Sequence, residues 1–232
     1  MEIFKVNYHD NKSELCDIGK KYDTDKSSQR HNISNYRHCH AYTLFYDRLF
    51  RSRKHEQLTI AELGISEGFS ILMWQEYFTM SHIYGFDVHA EQIVSFKSKY
   101  NNERITLSTI DVHNDDNIKN IFARVNILYD IIIEDTTHQF EDQIRVIQNT
   151  YQYLKSGGVL IIEDIFKSYK EEDYINRLKP ILHHFQDYYF IEIDHVNRNS
   201  VGWDNDKLFV LIKAGGEPIF ENSLGTTLSG SI

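Results

Sequence analysis

The sequence predicts an α/β domain on a mostly parallel sheet, because short β-forming runs alternate with helical patterns from about residue 58 onwards. The last two β runs, 188–194 and 207–213, have no helical pattern between them, which indicates an antiparallel hairpin at one edge of the sheet. Hydrophobic residues make up 41% of the chain, enough to build a sizeable core. Together these observations predict a seven-stranded sheet in one domain with a modest extension.

Each predicted strand is a short apolar run, and the isoleucine-rich run 129–135 is typical of a strand covered on both faces. The glycine pair at 157–158 predicts the point where the longest helix stops and the next strand begins. The first five predicted strands are 58–63, 82–87, 104–110, 129–135 and 159–164. The predicted helices cover about 71–78, 90–100, 139–155 and 170–184.

The strand–helix repeat divides the chain into three parts. Residues 1–55 lie outside it and are predicted to form a largely helical extension that caps the cleft as a lid. Residues 56–215 carry the sheet. Residues 216–232 form a Gly-, Ser- and Thr-rich tail that is predicted to be peripheral.

Composition and charge exclude several classes of function. The formal net charge of −9 argues against a nucleic-acid partner, because phosphate binding needs a concentrated basic surface. No run is apolar enough to span a membrane, and the first residues lack the apolar core of a signal peptide. The two cysteines, Cys16 and Cys39, are too few for a disulfide framework. The sequence therefore predicts a cytosolic protein without membrane or nucleic-acid partners.

The first predicted strand runs into a glycine-containing loop, where a parallel sheet would bind its ligand. Its candidate cofactor-binding residues are Glu62, Gly64, Ser66 and Gly68. Because position 66 is serine, the G-x-G-x-x-G pattern that cradles a pyrophosphate is missing. S-adenosylmethionine (SAM) carries an amino acid and a sulfonium instead of phosphates, and it tolerates a looser loop. Five βα units followed by a hairpin are the arrangement of class I SAM-dependent methyltransferases, which have a Rossmann-like fold.

Acidic residues at the ends of the next two strands extend this predicted cofactor site. Asp87 closes the second strand and could accept hydrogen bonds from ribose hydroxyls. Asp111 follows the third strand and could meet the adenine amino group, with Val112 beside the ring. The alternative is that these residues merely connect strands and helices.

Three carboxylates follow the fourth and fifth strands, namely Asp135, Glu163 and Asp164. Because adjacent parallel strands lie about 4.8 Å apart, these groups can converge on one cation. An all-carboxylate set favours a hard ion, Mg²⁺ or else Mn²⁺ or Ca²⁺. His138 comes three residues after Asp135 and could accept a proton from a hydroxyl held by the metal ion. The alternative is that Asp135 and Asp164 cap helices.

The motifs Asp-x-x-His at 135–138, Gly-Gly at 157–158 and Glu-Asp at 163–164 resemble those of the macrolide-sugar O-methyltransferases. These are metal-dependent enzymes that methylate deoxysugar hydroxyls in mycinamicin and tylosin biosynthesis. The resemblance covers roughly residues 19–213. It implies that the three carboxylates bind the metal ion, that the histidine is the base, and that the acceptor is a sugar of a glycan, a nucleotide sugar or a glycosylated metabolite. Because that family often forms oligomers, a homo-oligomer is one expected state.

The segment Tyr22-Asp-Thr-Asp25-Lys26, with Tyr36 and Tyr42 downstream, is similar to the Gly-Thr-Asp-Lys element of that family, with Asp23 in place of the glycine. The resemblance implies that Asp25 and Lys26 help to close the cleft over substrate, with Tyr36 nearby. Trp203, between the last two strands, is a candidate acceptor contact because aromatic faces stack on sugar rings. His38 and His40 are assigned surface or packing roles in a tyrosine-rich helix, and Trp74 is assigned to the core.

Three functions follow from these patterns. The first is a SAM- and metal-dependent O-methyltransferase acting on a sugar, in glycan biosynthesis. The second is a catechol-type O-methyltransferase, or a related hydroxylase-like enzyme, acting on a vicinal diol. The third is a SAM-fold domain that binds or assembles without catalysis. A screen of sugar and catechol acceptors distinguishes the first two functions, and SAM binding distinguishes both from the third.

Overall fold

The protein forms one eight-stranded sheet with helices on both faces. The structure, a computed structural model, describes residues 2–8, 13–29, 39–195 and 204–216. The strand order is β1-β7-β8-β6-β5-β2-β3-β4, and only the pairs that involve β8 are antiparallel. The predicted mostly parallel sheet with a C-terminal hairpin is therefore confirmed. The strands are β1 (Glu2–Tyr8), β2 (Thr59–Leu63), β3 (His82–Asp87), β4 (Ile105–Thr109), β5 (Tyr129–Glu134), β6 (Leu154–Ile162), β7 (Phe185–His195) and β8 (Lys207–Lys213).

The expected number of seven strands was wrong, because β1 adds an eighth at the edge of the sheet. It lies in the segment that was expected to be largely helical, and it pairs in parallel with β7. Its side chains alternate as a half-covered strand requires, with Val6 buried, Phe4 partly buried, and Ile3 and Lys5 exposed. The Phe4 ring packs edge-on against Tyr189 at 5.5 Å.

The described helices are α1 (Glu14–Tyr22), α2 (Tyr42–Phe50), α3 (Phe69–Tyr77), α4 (Ala90–Lys99), α5 (Asp115–Val125), α6 (Phe140–Thr150) and α7 (Glu171–Leu178). The prediction that the helix ends at the glycine pair 157–158 was wrong. Helix α6 ends at Thr150, and β6 begins at Leu154, before the two glycines. The pairing of β5 with β6 shifts register between Tyr129 and Ile131, so residues 155–158 form an irregular stretch inside the strand.

Two hydrophobic clusters cover the two faces of the sheet. The cluster on the face covered by helices α1–α4 includes Ile131 and Ile133 of β5. The cluster on the face covered by α5–α7 includes Ile132, which lies between them in the chain. This alternation explains the isoleucine run, because a strand buried on both faces needs apolar residues at every position. Trp74 of α3 is fully buried in the first cluster, as predicted.

Helices α1 and α2 pack on the first face, with α1 against both α2 and α3. Their connection brings residues 24–28 to the end of the sheet where β2, β5 and β6 terminate, as the contacts of Lys26 show. The division into an extension of residues 1–55 and a domain of residues 56–215 stays a prediction. Among the described helices, none combines the length and the apolar character needed to cross a membrane.

Candidate functional site

The loop after β2 makes the closest backbone approach in the site. Gly64 has φ +86°, and a Cβ placed on it would lie 1.8 Å from the carbonyl oxygen of Asp135. The Gly64 N–H donates to the carbonyl oxygen of Phe86 in β3 at 2.8 Å. Only glycine satisfies both the left-handed backbone and the contact with the loop after β5.

Asp87 at the end of β3 holds this loop in place. Its Oδ2 accepts hydrogen bonds from the backbone N–H groups of Ile65 at 3.0 Å and Ser66 at 2.8 Å. Its Oδ1 accepts from the N–H of His89 at 2.9 Å. Each carboxylate oxygen can accept more than one hydrogen bond, so Asp87 can bind a ligand hydroxyl as well as the loop.

A cavity of about 780 Å³ opens beside these residues at the carboxyl ends of the parallel strands. Five of the seven predicted cofactor residues line it, namely Gly64, Ser66, Asp87, Asp111 and Val112. Gln92 of α4 also lines it, and its Oε1 is buried without a hydrogen-bond partner in the described part of the chain. A buried acceptor without a partner is costly, so this wall suits a ligand that carries hydroxyl or amino donors.

The structure does not place Glu62 and Gly68 in the cavity lining. Glu62 is fully buried below it, where its Oε2 accepts a hydrogen bond from the Trp74 indole at 3.1 Å. Gly68, with φ +85°, is the N-cap of α3. A Cβ there would lie 2.3 Å from the Phe96 ring, so this glycine allows the ring to pack against the loop.

Beyond β5 and β6, the structure brings Asp135, His138 and Asp164 together. His138 Nδ1 lies 3.8 Å from Asp135 Oδ1, and His138 Nε2 lies 3.7 Å from Asp164 Oδ2. One ligand atom from each of the three residues lies within 4.8 Å of the other two. His138 and Asp164 have φ of +58° and +56°, a left-handed conformation that is uncommon for these residues and turns both chains sharply at the strand ends.

The carboxylate of Glu163, the third predicted metal ligand, contacts Lys26 and Tyr46. It is 1% exposed, its Oε2 lies 2.5 Å from Lys26 Nζ, and its Oε1 accepts a hydrogen bond from the Tyr46 hydroxyl. Asp135 also gives one oxygen to Lys26 and keeps Oδ1 on the His138 side. The described structure thus brings ligand atoms of Asp135, His138 and Asp164 together, and the binding of a metal ion by Asp135, Glu163 and Asp164 stays a prediction.

Lys26 is the cation at the centre of the acidic residues. Its Nζ contacts Asp135 Oδ2 and Glu163 Oε2, each at 2.5 Å, and Glu62 Oε1 at 3.3 Å. Burial lowers the pKa of this ammonium, but the three carboxylates outweigh burial and hold the pKa well above its ordinary value. Lys26 is thus a charged group in the wall of the cavity.

Three further residues contact the site: Tyr46 was not identified from the sequence, His40 was assigned a surface or packing role, and Tyr42 was named only as part of the family element. Tyr42 donates to Asp164 Oδ1 at 2.7 Å, and Tyr46 one helical turn later donates to Glu163. His40 precedes α2, and its Nδ1 lies 2.9 Å from Asp206 Oδ1 and 3.4 Å from Asp164 Oδ1. The i, i+4 spacing of the two tyrosines was the available signal, but it is equally typical of core packing.

Burial dominates the electrostatics of Asp164, Glu163 and Glu62, whereas at Asp135 burial is outweighed, chiefly by Lys26, and the pKa is lowered. Burial raises the pKa of Asp164, and the neighbouring Asp135 adds to this although His40 opposes it. Burial also raises the pKa of Glu163 well above its ordinary value, and the pKa of Glu62 to about 7, with Lys26 opposing both shifts. These acids are short of positive charge, which is the setting in which a cation binds.

The structure describes some of the remaining residues that the sequence analysis singled out, and others lie outside the described ranges. Asp23, which replaces the family's glycine, adopts the left-handed conformation that glycine favours, with φ +59°, and ends α1. Asp25 lines the cavity beside Lys26. Tyr36 and Trp203 lie outside the described residues, as does His38.

Residues 61–162 match the family model described as Methyltransferase domain. The demethylmacrocin O-methyltransferase of Streptomyces fradiae is 28% identical over 156 residues, which make up 64% of this chain and 38% of that protein. The mycinamicin VI 2''-O-methyltransferase of Micromonospora griseorubida is 26% identical over 158 residues, 65% of this chain and 38% of that protein. This chain thus matches well under half of the length of either relative.

Among solved structures, the fold is similar to that of MycE, a methyltransferase from the mycinamycin biosynthetic pathway, in complex with Mg and SAH. The TM-score is 0.64 at 20% sequence identity, over 90% of this chain and 58% of MycE. This likeness supports the fold. With the sequence matches, it confirms the resemblance that the motifs indicated: the chain has the class I SAM-dependent methyltransferase fold and is similar to the macrolide-sugar O-methyltransferases.

Proposed function

We propose that the protein is a SAM- and divalent-metal-dependent O-methyltransferase that methylates a sugar hydroxyl. One observation carries the proposal: the glycine loop with Asp87 and the pair Asp135–His138 line the same cavity. The named functions of the similar proteins, transfer of a methyl group to macrolide-sugar oxygens, agree with it. Cofactor and acceptor chemistry would then meet at one end of the sheet, as in other open α/β folds.

The residues present suit SAM, which when bound supplies a methyl group on a sulfonium. Asp87 has acceptor capacity for ribose hydroxyls, and Asp111 and Val112 form the neighbouring wall. Gln92 Oε1 offers a buried acceptor for a further hydroxyl or amino donor. Position 66 is serine, so the loop lacks the G-x-G-x-x-G pattern that cradles a pyrophosphate.

The residues present also suit Mg²⁺ or Mn²⁺, which when bound lowers the pKa of a hydroxyl that it holds. Asp135 and Asp164 each keep one carboxylate oxygen on the His138 side, and such hard oxygen ligands suit these ions. Lys26 and Tyr42 bind the opposite oxygens and fix both carboxylates in orientation. Glu163, though a predicted ligand, would support the site through Lys26 and Tyr46.

In this reading His138 is the general base. The imidazole would accept the proton of the acceptor hydroxyl, and the oxygen could then receive the methyl group that bound SAM would supply, with S-adenosylhomocysteine as the leaving group. Its Nδ1 lies 3.8 Å from Asp135 Oδ1 and its Nε2 lies 3.7 Å from Asp164 Oδ2, so the ring stands beside the oxygens proposed to bind the metal ion. Lys26 and Thr24 flank the cavity and would exclude water from this step.

Titration calorimetry of SAM into the purified protein, in Mg²⁺ and again in EDTA, tests the cofactor. Binding in both conditions is expected, because the ion is proposed to hold the acceptor. Absence of binding in both would contradict the methyltransferase function itself. A second assay with labelled SAM and sugar and catechol acceptors tests the metal ion and the substrate class: product should form on sugars and stop in EDTA.

A further inference from the structure

A buried carboxylate outside the cavity lies between two segments of its wall. One segment, residues 111–113 after β4, includes the proposed adenine contacts and is here called the adenine wall. The other, residues 136–138 after β5, ends at the proposed base and is here called the base loop. Asp142, in the first turn of α6, is only 5% exposed and lies outside the cavity lining, yet it contacts both segments.

The base loop is held to α6 through Thr137. The Thr137 hydroxyl donates to Asp142 Oδ2 at 2.7 Å, and its oxygen accepts a hydrogen bond from the Gln139 N–H at 3.3 Å. Hydrogen bonds to a charged acceptor are about twice as strong as those between neutral groups. His138, the next residue, has φ +58°, a conformation that persists only where the surrounding structure enforces it. The Asp142 contact therefore helps to fix the backbone that carries the proposed base.

The adenine wall is held to the same carboxylate. His113 Nδ1 lies 3.2 Å from Asp142 Oδ1 and 3.1 Å from Oδ2. Arg145, one turn further along α6, makes an ion pair with Asp142 Oδ1 and donates to the Val112 carbonyl oxygen at 3.1 Å. Asp142 and Arg145 together thus reach both the backbone and a side chain of the adenine wall.

Arg145 is itself anchored to a second helix. Its Nε lies 2.8 Å from Asp115 Oδ1 at the start of α5, and its carbonyl oxygen accepts a hydrogen bond from Asn149 Nδ2 at 2.8 Å. Its charge offsets the buried carboxylate, which would be costly if it were unpaired. Asp142 and Arg145, here called the brace, therefore join the loops after β4 and β5 from behind the cavity.

We infer that Asp142 is a positioning residue that ties the base loop to the adenine wall, so that cofactor binding and metal binding favour each other. The inference rests on the proposed function and adds an energetic coupling between its two sites. A bound adenine would hold Val112 and, through the brace, Thr137 and the neighbouring His138, which is one of the three possible metal ligands. The metal ion then binds a loop that is already ordered, and less entropy is lost.

The alternative is that Asp142 only stabilises the start of α6, since a carboxylate in the first turn of a helix interacts favourably with the helix dipole. That role would change the stability of the fold, or the affinity for each ligand by itself. It would leave unchanged the ratio of the Mn²⁺ affinities measured with and without the cofactor. This ratio therefore separates positioning from a structural role.

Electron paramagnetic resonance measures the Mn²⁺ affinity of the full chain with and without saturating S-adenosylhomocysteine, which lacks the sulfonium charge that would repel the ion. In the unmodified protein we expect the affinity to rise by about 5-fold or more, the lower end of typical coupling between sites. Thr137→Val keeps the side-chain shape and removes the hydroxyl, and Asp142→Leu removes both carboxylate oxygens. In both variants the ratio should fall to about one, as expected for uncoupled sites.

The controls are Thr79→Val and Asp116→Leu, which change the same residue types at exposed positions. Asp116 also lies in the first turn of a helix, α5, so it controls for the helix dipole. Both should keep the ratio of the unmodified protein, and circular dichroism checks the fold of all four variants. Calorimetric titration of S-adenosylhomocysteine with and without Mn²⁺ should give the same ratio, because coupling between two binding sites is reciprocal.

Three results would overturn the inference: no coupling in the unmodified protein, coupling that survives in Thr137→Val or in a folded Asp142→Leu, or an equal loss in the controls. If both ligands bind without coupling, the brace alone is contradicted. If S-adenosylhomocysteine does not bind the unmodified protein, the methyltransferase function is contradicted, and the inference with it. If Asp142→Leu does not fold, Thr137→Val decides.

Discussion

Lys26 Nζ lies 2.5 Å from Asp135 Oδ2, although the two residues are 109 positions apart in the chain. This contact joins the segment after α1 to the loop after β5, and the same ammonium reaches Glu163 and Glu62. The N-terminal segment is therefore part of the site, because it supplies the charge that offsets these three acids, of which Glu62 and Glu163 are buried.

Replacing Lys26 by methionine keeps most of the side-chain volume and removes the charge. We expect the free energy of unfolding to fall by about 3–5 kcal/mol, because buried carboxylates lose their counter-ion. Urea unfolding followed by circular dichroism measures the change. Lys21→Met is the control, since Lys21 makes an exposed ion pair with Glu76 and its loss should have a much smaller effect. Equal losses in the two variants would contradict the central role of Lys26.

Asp164→Asn tests the metal site with little backbone strain, because asparagine tolerates the left-handed conformation of this position. We expect Mn²⁺ affinity, measured by electron paramagnetic resonance, to fall by more than about 100-fold, since even residues that only support metal ligands cost 10–100-fold. Asp116→Asn, at an exposed position of α5, should bind Mn²⁺ normally. Unchanged Mn²⁺ affinity in Asp164→Asn would exclude Asp164 as a ligand.

Asparagine also tolerates the left-handed backbone conformation of position 138, so His138→Asn removes the imidazole with little backbone strain. The expected result is a fall in kcat of about 10²–10⁴-fold, the usual contribution of a general base, with SAM binding retained. Stopped assays with labelled SAM give kcat, and calorimetry gives the affinity for SAM. His183→Asn, an exposed position, should keep the activity of the unmodified protein. A His138→Asn variant with normal kcat would show that another group takes the proton.

Gly64→Ala places a methyl group 1.8 Å from the Asp135 carbonyl oxygen, so the loops after β2 and β5 must separate. We expect loss of SAM binding together with a lower thermal midpoint. Ser66→Gly is the matched change in the same loop: Ser66 already has φ +48°, and glycine relieves about 1–2 kcal/mol of left-handed strain. Its SAM affinity should be within a few-fold of the original. If both variants bind SAM normally, the close approach at Gly64 is not required.

The acid dependence of stability should include a contribution from Asp142. Burial raises the pKa of this carboxyl, but the Thr137 hydroxyl at 2.7 Å and the His113 imidazole outweigh it, so the pKa lies below its ordinary value. A depressed folded-state pKa stabilises the fold above the unfolded pKa, near 4, and this stabilisation disappears as the pH falls through the folded value.

Asp142→Asn should therefore lower the free energy of unfolding at pH 6, and the difference from the unmodified protein should shrink towards pH 3. Urea titrations at a series of pH values measure it. The control is Asp17→Asn, at an exposed position of α1, which should show little change across the series. A difference that stays constant with pH would mean that the charge of Asp142 is not responsible.

The sequence by itself determined the α/β class, most strand positions, the glycine loop and the acids at the strand ends. These are local properties, because a strand covered on both faces needs a continuous apolar run and a tight turn needs glycine. The topology rule for parallel sheets then placed Asp87, Asp111, Asp135 and Asp164 at one edge. All four line the same cavity.

Only the tertiary structure decided which groups meet those acids. The contact of Lys26 with Asp135 spans 109 residues, and that of Tyr42 with Asp164 spans 122. The strand β1 likewise forms only where β7, near the other end of the chain, offers its edge. Such pairings depend on how the chain folds back on itself, and neither spacing nor hydrophobic period encodes them. Likewise Glu163 contacts Lys26 and Tyr46, whereas Asp164, the next residue, lies beside His138.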